Sequence, residues 1–174
     1  MIKHEFTWKI CIVGDPACGK TSLVSRYTNR SFDKFYQPTL GAQFSVKSVD
    51  LDEKYVAKVY IWDIAGQTKF NIIRKMFYEQ SKAVIFVYDV TNKTTFRSVD
   101  HWRADLIDAL GDNFPSALLG NKVDLVDERV VPTEEGFEKA TDFQIPFYET
   151  SALTGEGVDD AFLNLLLMLH DKDT

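Results

Sequence analysis

From Phe44 to Asp50, and again from Tyr55 to Ile61, apolar and polar residues alternate, the period of a strand with one covered face. Asp50-Leu51-Asp52-Glu53-Lys54 between them has the composition of a hairpin turn, so one of the pair is expected as an antiparallel edge strand. Ala83 to Tyr88 is apolar without interruption, as in a strand buried on both faces. Phe6 to Val13, Ser116 to Leu119 and Pro146 to Glu149 supply three more strands. Elsewhere the period changes. Phe96, Val99, Trp102, Leu106, Ile107 and Leu110 fall at helical spacing, and Gly111 closes that helix. Further helices are expected to about Asn29, to about Gln80, from about Thr133 with that threonine as N-cap, and from Val158 to His170. Strands alternating with helices predict a doubly wound α/β sheet. Ser31 to Gln43 carries no period and Pro38 interrupts it; a loop of that length is usually functional.

Composition narrows the class of protein. The 174 residues are expected to make one domain, residues 1–174, with the apolar content of an ordinary globular chain. A net charge of −6 argues against a nucleic-acid-binding surface, which is normally basic. Cys11 and Cys18 match neither a disulfide framework nor a zinc site. The longest apolar runs fall far short of the ~20 residues that cross a bilayer. The N-terminus has no signal-peptide layout, and Ile2 stands where N-myristoylation needs glycine. The chain ends Asp171-Lys172-Asp173-Thr174, without a cysteine for prenylation. A cytoplasmic location with no direct membrane anchor in this chain is therefore expected, and membrane association would need a lipidated tail.

Candidate chemistry begins at Gly14-Asp15-Pro16-Ala17-Cys18-Gly19-Lys20-Thr21, which reads G-x-x-x-x-G-K-[ST] between a predicted strand and a predicted helix. In that setting successive backbone N–H groups bend round a phosphate at a helix N-terminus, where the helix dipole adds to the attraction. Lys20 would reach the β- and γ-phosphates, and the Thr21 hydroxyl would bind Mg²⁺. Asp63 closes a later strand and would face the same Mg²⁺. Gly66 would let the backbone approach the γ-phosphate, and Gln67 would orient a water for in-line attack. Asn121-Lys122-Val123-Asp124 follows another strand and reads the base. The Asp124 carboxylate can accept from both N1–H and the exocyclic amine of guanine, a donor pair that adenine lacks. Asn121 would tie this loop to the phosphate loop, the Lys122 stem would cover the base, and Ser151-Ala152 would offer an N–H to the guanine oxygen. Each cluster follows a strand's C-terminal end, the edge at which open α/β sheets bind ligands.

These residues resemble small Ras-like GTPases, most closely the Rab branch, over about Thr7 to His170. The likeness rests on Gly14…Gly19-Lys20-Thr21, Tyr36-x-Pro38-Thr39, Trp62-Asp63-Ile64-Ala65-Gly66-Gln67, Asn121-Lys122-Val123-Asp124 and Glu149-Thr150-Ser151-Ala152. It implies a three-layer P-loop GTPase fold, with a mostly parallel six-stranded sheet, one antiparallel edge strand and about five helices. It also implies Mg²⁺ held by Thr21, Thr39 and Asp63, and catalysis by Gln67, Lys20 and Thr39. The nucleotide, GTP or GDP, would then be held by Asp15, Ala17, Cys18, Gly19, Lys20, Thr21, Ser22, Phe32, Tyr36, Thr39, Gly66, Asn121, Lys122, Asp124, Ser151, Ala152 and Leu153. Phe32 would stack on guanine and Tyr36 would cover the phosphates. Thr39 would mark switch I, and Ile64 to about Tyr78 would form switch II. Effectors, an exchange factor and a GTPase-activating protein would act through these switches, with Phe44, Trp62 and Phe77 as an aromatic trio facing effectors. The resemblance leaves Arg26, Arg30 and Arg74 as surface residues, so an arginine finger would come in trans.

Pro16-Ala17-Cys18 departs from the family pattern, which carries a further glycine there. Proline has no N–H, Ala17 resists positive φ, and bulk here lies near Gln67. Intact GTP binding with altered hydrolysis is expected; the alternative is a GTP-binding scaffold that hardly turns over. A buried, inert Cys18 is expected ahead of an oxidisable one.

Overall fold

The alternating and uninterrupted apolar runs become the strands of one sheet in a computed structural model that describes residues 2–29, 39 and 41–174. Among the described residues these are β1 (His4–Val13), β2 (Ala42–Asp50), β3 (Tyr55–Ile64), β4 (Ala83–Asp89), β5 (Ser116–Asn121) and β6 (Phe147–Thr150), in the order β2-β3-β1-β4-β5-β6. Pairing is parallel from β3 through β6, and β2 runs antiparallel to β3 at the edge, from Ala42 opposite Ile64 to Asp50 opposite Val56. The edge strand inferred from the hairpin composition is therefore β2. It begins at Ala42, so Ala42 and Gln43 pair with β3 although they carry no alternation of their own.

The helices are α1 (Lys20–Asn29), α2 (Asn71–Tyr78), α3 (Lys93–Leu110), α4 (Thr133–Phe143) and α5 (Val158–Asp173). Side chains of successive strand residues point to opposite faces, and each face has its own core. Trp8, Ile10 and Ile12 of β1 meet Leu23, Tyr27, Phe162 and Leu166 of α1 and α5; the Tyr27 and Phe162 rings stack at 3.9 Å between centroids. Cys11 and Val13 point the other way, into Phe96, Val99, Trp102 and Leu106 of α3 and Ala140 of α4. Every residue of β4 is buried, as its unbroken apolar run requires.

Helix ends depart from expectation in two places. Thr133 is not an N-cap: it is the first residue of α4, and its hydroxyl donates to Glu149 Oε1 at 2.9 Å, leaving Pro132 at the cap position. The α3 helix starts before Phe96, because Asn92 Oδ1 accepts from the Thr94 and Thr95 N–H groups at 3.0 and 3.4 Å. Gly111 closes the helix with φ 78, a left-handed value that glycine takes without strain. No described helix is long and apolar enough to cross a membrane.

Candidate functional site

The loops after β1, β3, β5 and β6 all leave the sheet at one edge, and their polar residues meet there. The loop from Gly14 to Lys20 turns into α1 under the end of β3. Gly66 lies directly against it: a Cβ on Gly66 would clash with Gly14 O and Pro16 N. Glycine at 66 is thus required first by the packing of one loop on the other. Lys20 is 6% exposed, and its ammonium donates to Gly14 O at 2.8 Å and Asp15 O at 2.9 Å. It lies beneath the loop's own carbonyls, at the start of α1, beside Ser22 of the first helical turn.

Thr21, Thr39 and Asp63 converge beside Lys20. Thr21 Oγ1 lies 2.9 Å from Thr39 Oγ1, the Thr39 hydroxyl donates to Asp63 Oδ2 at 3.3 Å, and that oxygen also accepts from the Thr21 hydroxyl. Among the described residues, Asp63 Oδ1 has no partner although it is buried. Burial raises the Asp63 carboxyl above its usual pKa, while the Thr21 hydroxyl and the Lys20 charge pull it back. One carboxylate and two hydroxyls, with an orphaned carboxylate oxygen, are the hard oxygen donors that suit Mg²⁺. Gln67 Oε1 is a second buried oxygen without a partner among the described residues. Gln67 lines a cleft with Pro16, Ala17, Thr39 and Gly66.

The base-reading candidates are tied to this centre. Asn121 Nδ2 donates to Cys18 O at 3.1 Å, so the loop after β5 is held to the phosphate loop as expected. Its Oδ1 accepts from the Thr150 hydroxyl at 3.1 Å. Gly19 permits this contact, since a Cβ there would strike Asn121 Nδ2. Lys122 adopts φ 70 and reaches back to Ala17 O at 2.7 Å, pairing with Asp89 at 2.9 Å. The Asp124 carboxylate accepts from the Ser151 hydroxyl at 2.7 Å, which fixes its direction. The Ser151 N–H donates to Glu156 O at 3.0 Å, so of the Ser151-Ala152 pair the N–H of Ala152 is the one left for a ligand. Leu153 is exposed beside it.

Three expectations change with the structure. Arg74 is not a surface residue: it is 8% exposed, stacked on Trp102 and bonded to the Ala65 and Gln67 carbonyls. Arg26 is half-buried and clamps α1 to the loop after β6, donating to Ala152 O and Leu153 O at 2.7 Å each. Ala17 adopts the φ it was expected to resist, at 63. Cys18 is fully buried, and burial pushes its thiol pKa up, the state of a packed and inert thiol. Asp15 is joined to Trp102, whose indole N–H donates to Asp15 Oδ1 at 2.9 Å, a contact no spacing in the chain announced. Phe44, Trp62 and Phe77 form a row, with centroids 5.5 and 5.8 Å apart, and Phe44 is 60% exposed. Phe32, Tyr36 and Arg30 lie outside the described residues.

A profile of the Ras family matches residues 9–171. The chain belongs to the Ras family. Relatives assign it to the Rab branch of these GTP-binding small GTPases. It is 36% identical to Ras-related protein Rab-1 of Theileria annulata, over 100% of this chain and 79% of the relative. It is 36% identical to RABA1b of Arabidopsis thaliana over 96% of this chain and 77% of that one, and 35% identical to Rab-1D of Dictyostelium discoideum over 94% and 79%. Ras-family GTPases bind GTP or GDP and typically Mg²⁺, and the oxygen donors of Thr21, Thr39 and Asp63 fit that ion.

Proposed function

We propose that residues 1–174 form one G domain that hydrolyses GTP to GDP and phosphate and changes the conformation of its switch loops to control effector binding in vesicle trafficking. The observation that carries this reading is the bond from Asn121 Nδ2 to Cys18 O, which makes a guanine-reading loop and a phosphate-cradling loop into one site. Asp124, aimed by Ser151, accepts from the two guanine donors, and the Ala152 N–H serves the guanine oxygen. Backbone N–H groups of Asp15 and of Ala17 to Thr21 hold the phosphates, with Lys20 supplying positive charge. Bound Mg²⁺, held by Thr21, Thr39 and Asp63, would neutralise phosphate charge. Gln67 orients the attacking water, and Thr39 responds to the γ-phosphate from switch I. The work is positioning and charge stabilisation, with no covalent enzyme intermediate.

Intrinsic turnover is slow on this reading. In Ras, the reference case for this chemistry, a GTPase-activating protein raises turnover about 10⁵-fold. Arg74 is held by Trp102 and the backbone on either side of Gly66, and Arg26 by the loop after β6, so a finger arginine comes from the activating partner. Effectors and exchange factors dock on the switches and the Phe44–Trp62–Phe77 row. Peripheral membrane association requires a lipidated tail. The scaffold alternative is favoured by the left-handed Ala17 beside Pro16, which strains the loop where hydrolysis is organised. The base assignment is tested by displacement of bound labelled GDP. Excess GTP displaces it and equal ATP does not; equal displacement by ATP would overturn the assignment.

A further inference from the structure

Arg74 is the one described arginine whose charge is buried away from any carboxylate contact at the site, and its surroundings form a closed circuit. Its guanidinium carbon sits 4.4 Å from the centroid of the Trp102 ring. Its Nη1 donates long bonds to Ala65 O at 3.4 Å and Gln67 O at 3.5 Å, the two carbonyls that flank Gly66. The Trp102 indole N–H in turn donates to Asp15 Oδ1 at 2.9 Å. Gly66 completes the circuit by packing on the backbone at Asp15 and Pro16. The α3 helix adds two further ties one and two turns beyond Trp102. Tyr78 donates to Asp105 at 2.8 Å and Lys75 pairs with Asp108 at 2.6 Å. The polar edge of α3 therefore carries both the phosphate loop and α2.

A guanidinium removed from water needs its donors satisfied and gains from a desolvated aromatic face. Here the aromatic face is the strong contact, the two carbonyl bonds are long, and Nε has no partner among the described residues. A shift of Trp102 or of residues 65–67 therefore changes the fit of the same charge. We infer that Arg74 and Trp102 form a positioning pair that transmits the state of the phosphate loop at Asp15 to the backbone on either side of Gly66, and so sets where Gln67 stands. Neither residue lines the cleft beside Gln67. Rate is affected through Gln67, while Thr21, Asn121 and Asp124, whose contacts lie outside this circuit, are left in place. This inference rests on the proposed hydrolysis by Gln67, and deepens it by naming what holds Gln67 in register with the loop.

The test compares wild type with Arg74→Met, which keeps an aliphatic stem on the indole but loses the donors, with Trp102→Phe, which keeps a ring but loses the bond to Asp15, and with the double variant. Two readouts are taken on Mg²⁺-bound protein: single-turnover hydrolysis of GTP, and backbone amide exchange at residues 15 and 65–67 in the GDP form. Each single variant is expected to slow hydrolysis about tenfold or more, since small misplacements near reacting groups cost that much, with GTP and GDP affinity changed less than about threefold. Both singles speed exchange at 65–67, Arg74→Met also speeds it at Asp15 from the far end of the circuit, and the double variant is no worse than the worse single, as one shared path requires. Unchanged exchange at 65–67 in Arg74→Met, or additive effects in the double variant, overturns the positioning pair. If wild type binds GTP without hydrolysing it while the exchange pattern holds, the hydrolysis reading fails and the pair stands.

Discussion

Pro16 and Ala17 carry the clearest local tension in the molecule. A left-handed φ of 63 at an alanine costs roughly 1–2 kcal/mol relative to glycine's freedom there. Pro16, next to it, lines the cleft with Gln67. Pro16→Gly is expected to speed single-turnover GTP hydrolysis by about tenfold, about 1.4 kcal/mol of barrier, with GTP affinity retained; indistinguishable rates would remove the loop from the account of turnover. Asp63 makes a second residue-scale case. A carboxyl whose pKa is raised on folding holds its proton more tightly in the native than in the unfolded chain, so this group favours the fold at low pH and opposes it as pH rises through its native value. Asp63→Asn should therefore raise the Tm of the nucleotide-free protein at pH 7. The same change should abolish the further rise in Tm that Mg²⁺ produces with GDP, which thermal melts with and without chelator would reveal.

Elements were more legible than their ends. Alternation in β2 and β3 and the unbroken run of β4 reveal which faces are covered, because burial acts directly on side-chain pattern. Ala42 and Gln43 join β2 only because Asp63 and Ile64 stand opposite, and no local property records a partner. Asn92 did carry a readable signal, an amide ahead of Lys93-Thr94-Thr95, whereas Thr133 had the right residue type but a better partner in Glu149. Asn92→Ala should lower stability by about 1 kcal/mol in urea unfolding of the GDP-bound protein, through the loss of both cap bonds. No change in the unfolding midpoint would mean the cap is idle. The residues proposed for the phosphate loop, switch II and base reading stand out in the sequence because ligand chemistry dictates residue types and spacing there. Arg74, Trp102 and Arg26 were not: their roles depend on how α3 and α1 sit against loops far away in the chain, and an arginine's charge by itself reads as surface.

At the scale of the molecule, a single sheet edge gathers loops from β1, β3, β5 and β6, while two separate cores fasten the helices behind it. The frame is the sheet with α1, α3 and α5; the loops proposed to read a nucleotide are strung between these elements, held by Asn121 to Cys18, Arg26 to Ala152, and Trp102 to Asp15. A switch needs this division, since a γ-phosphate can reorder loops only if the frame stays still. The relatives named Rab share more than three quarters of their length with this chain, so the whole frame is common ground between them. The most direct measurement of the central claim is phosphate release from protein-bound GTP and from ATP, followed side by side with Mg²⁺ for wild type and Gln67→Ala. The account predicts one phosphate released per bound GTP, a rate lower by about tenfold or more in Gln67→Ala, and no release from ATP. Release from ATP at the rate seen with GTP, or a Gln67→Ala rate equal to wild type, would contradict it.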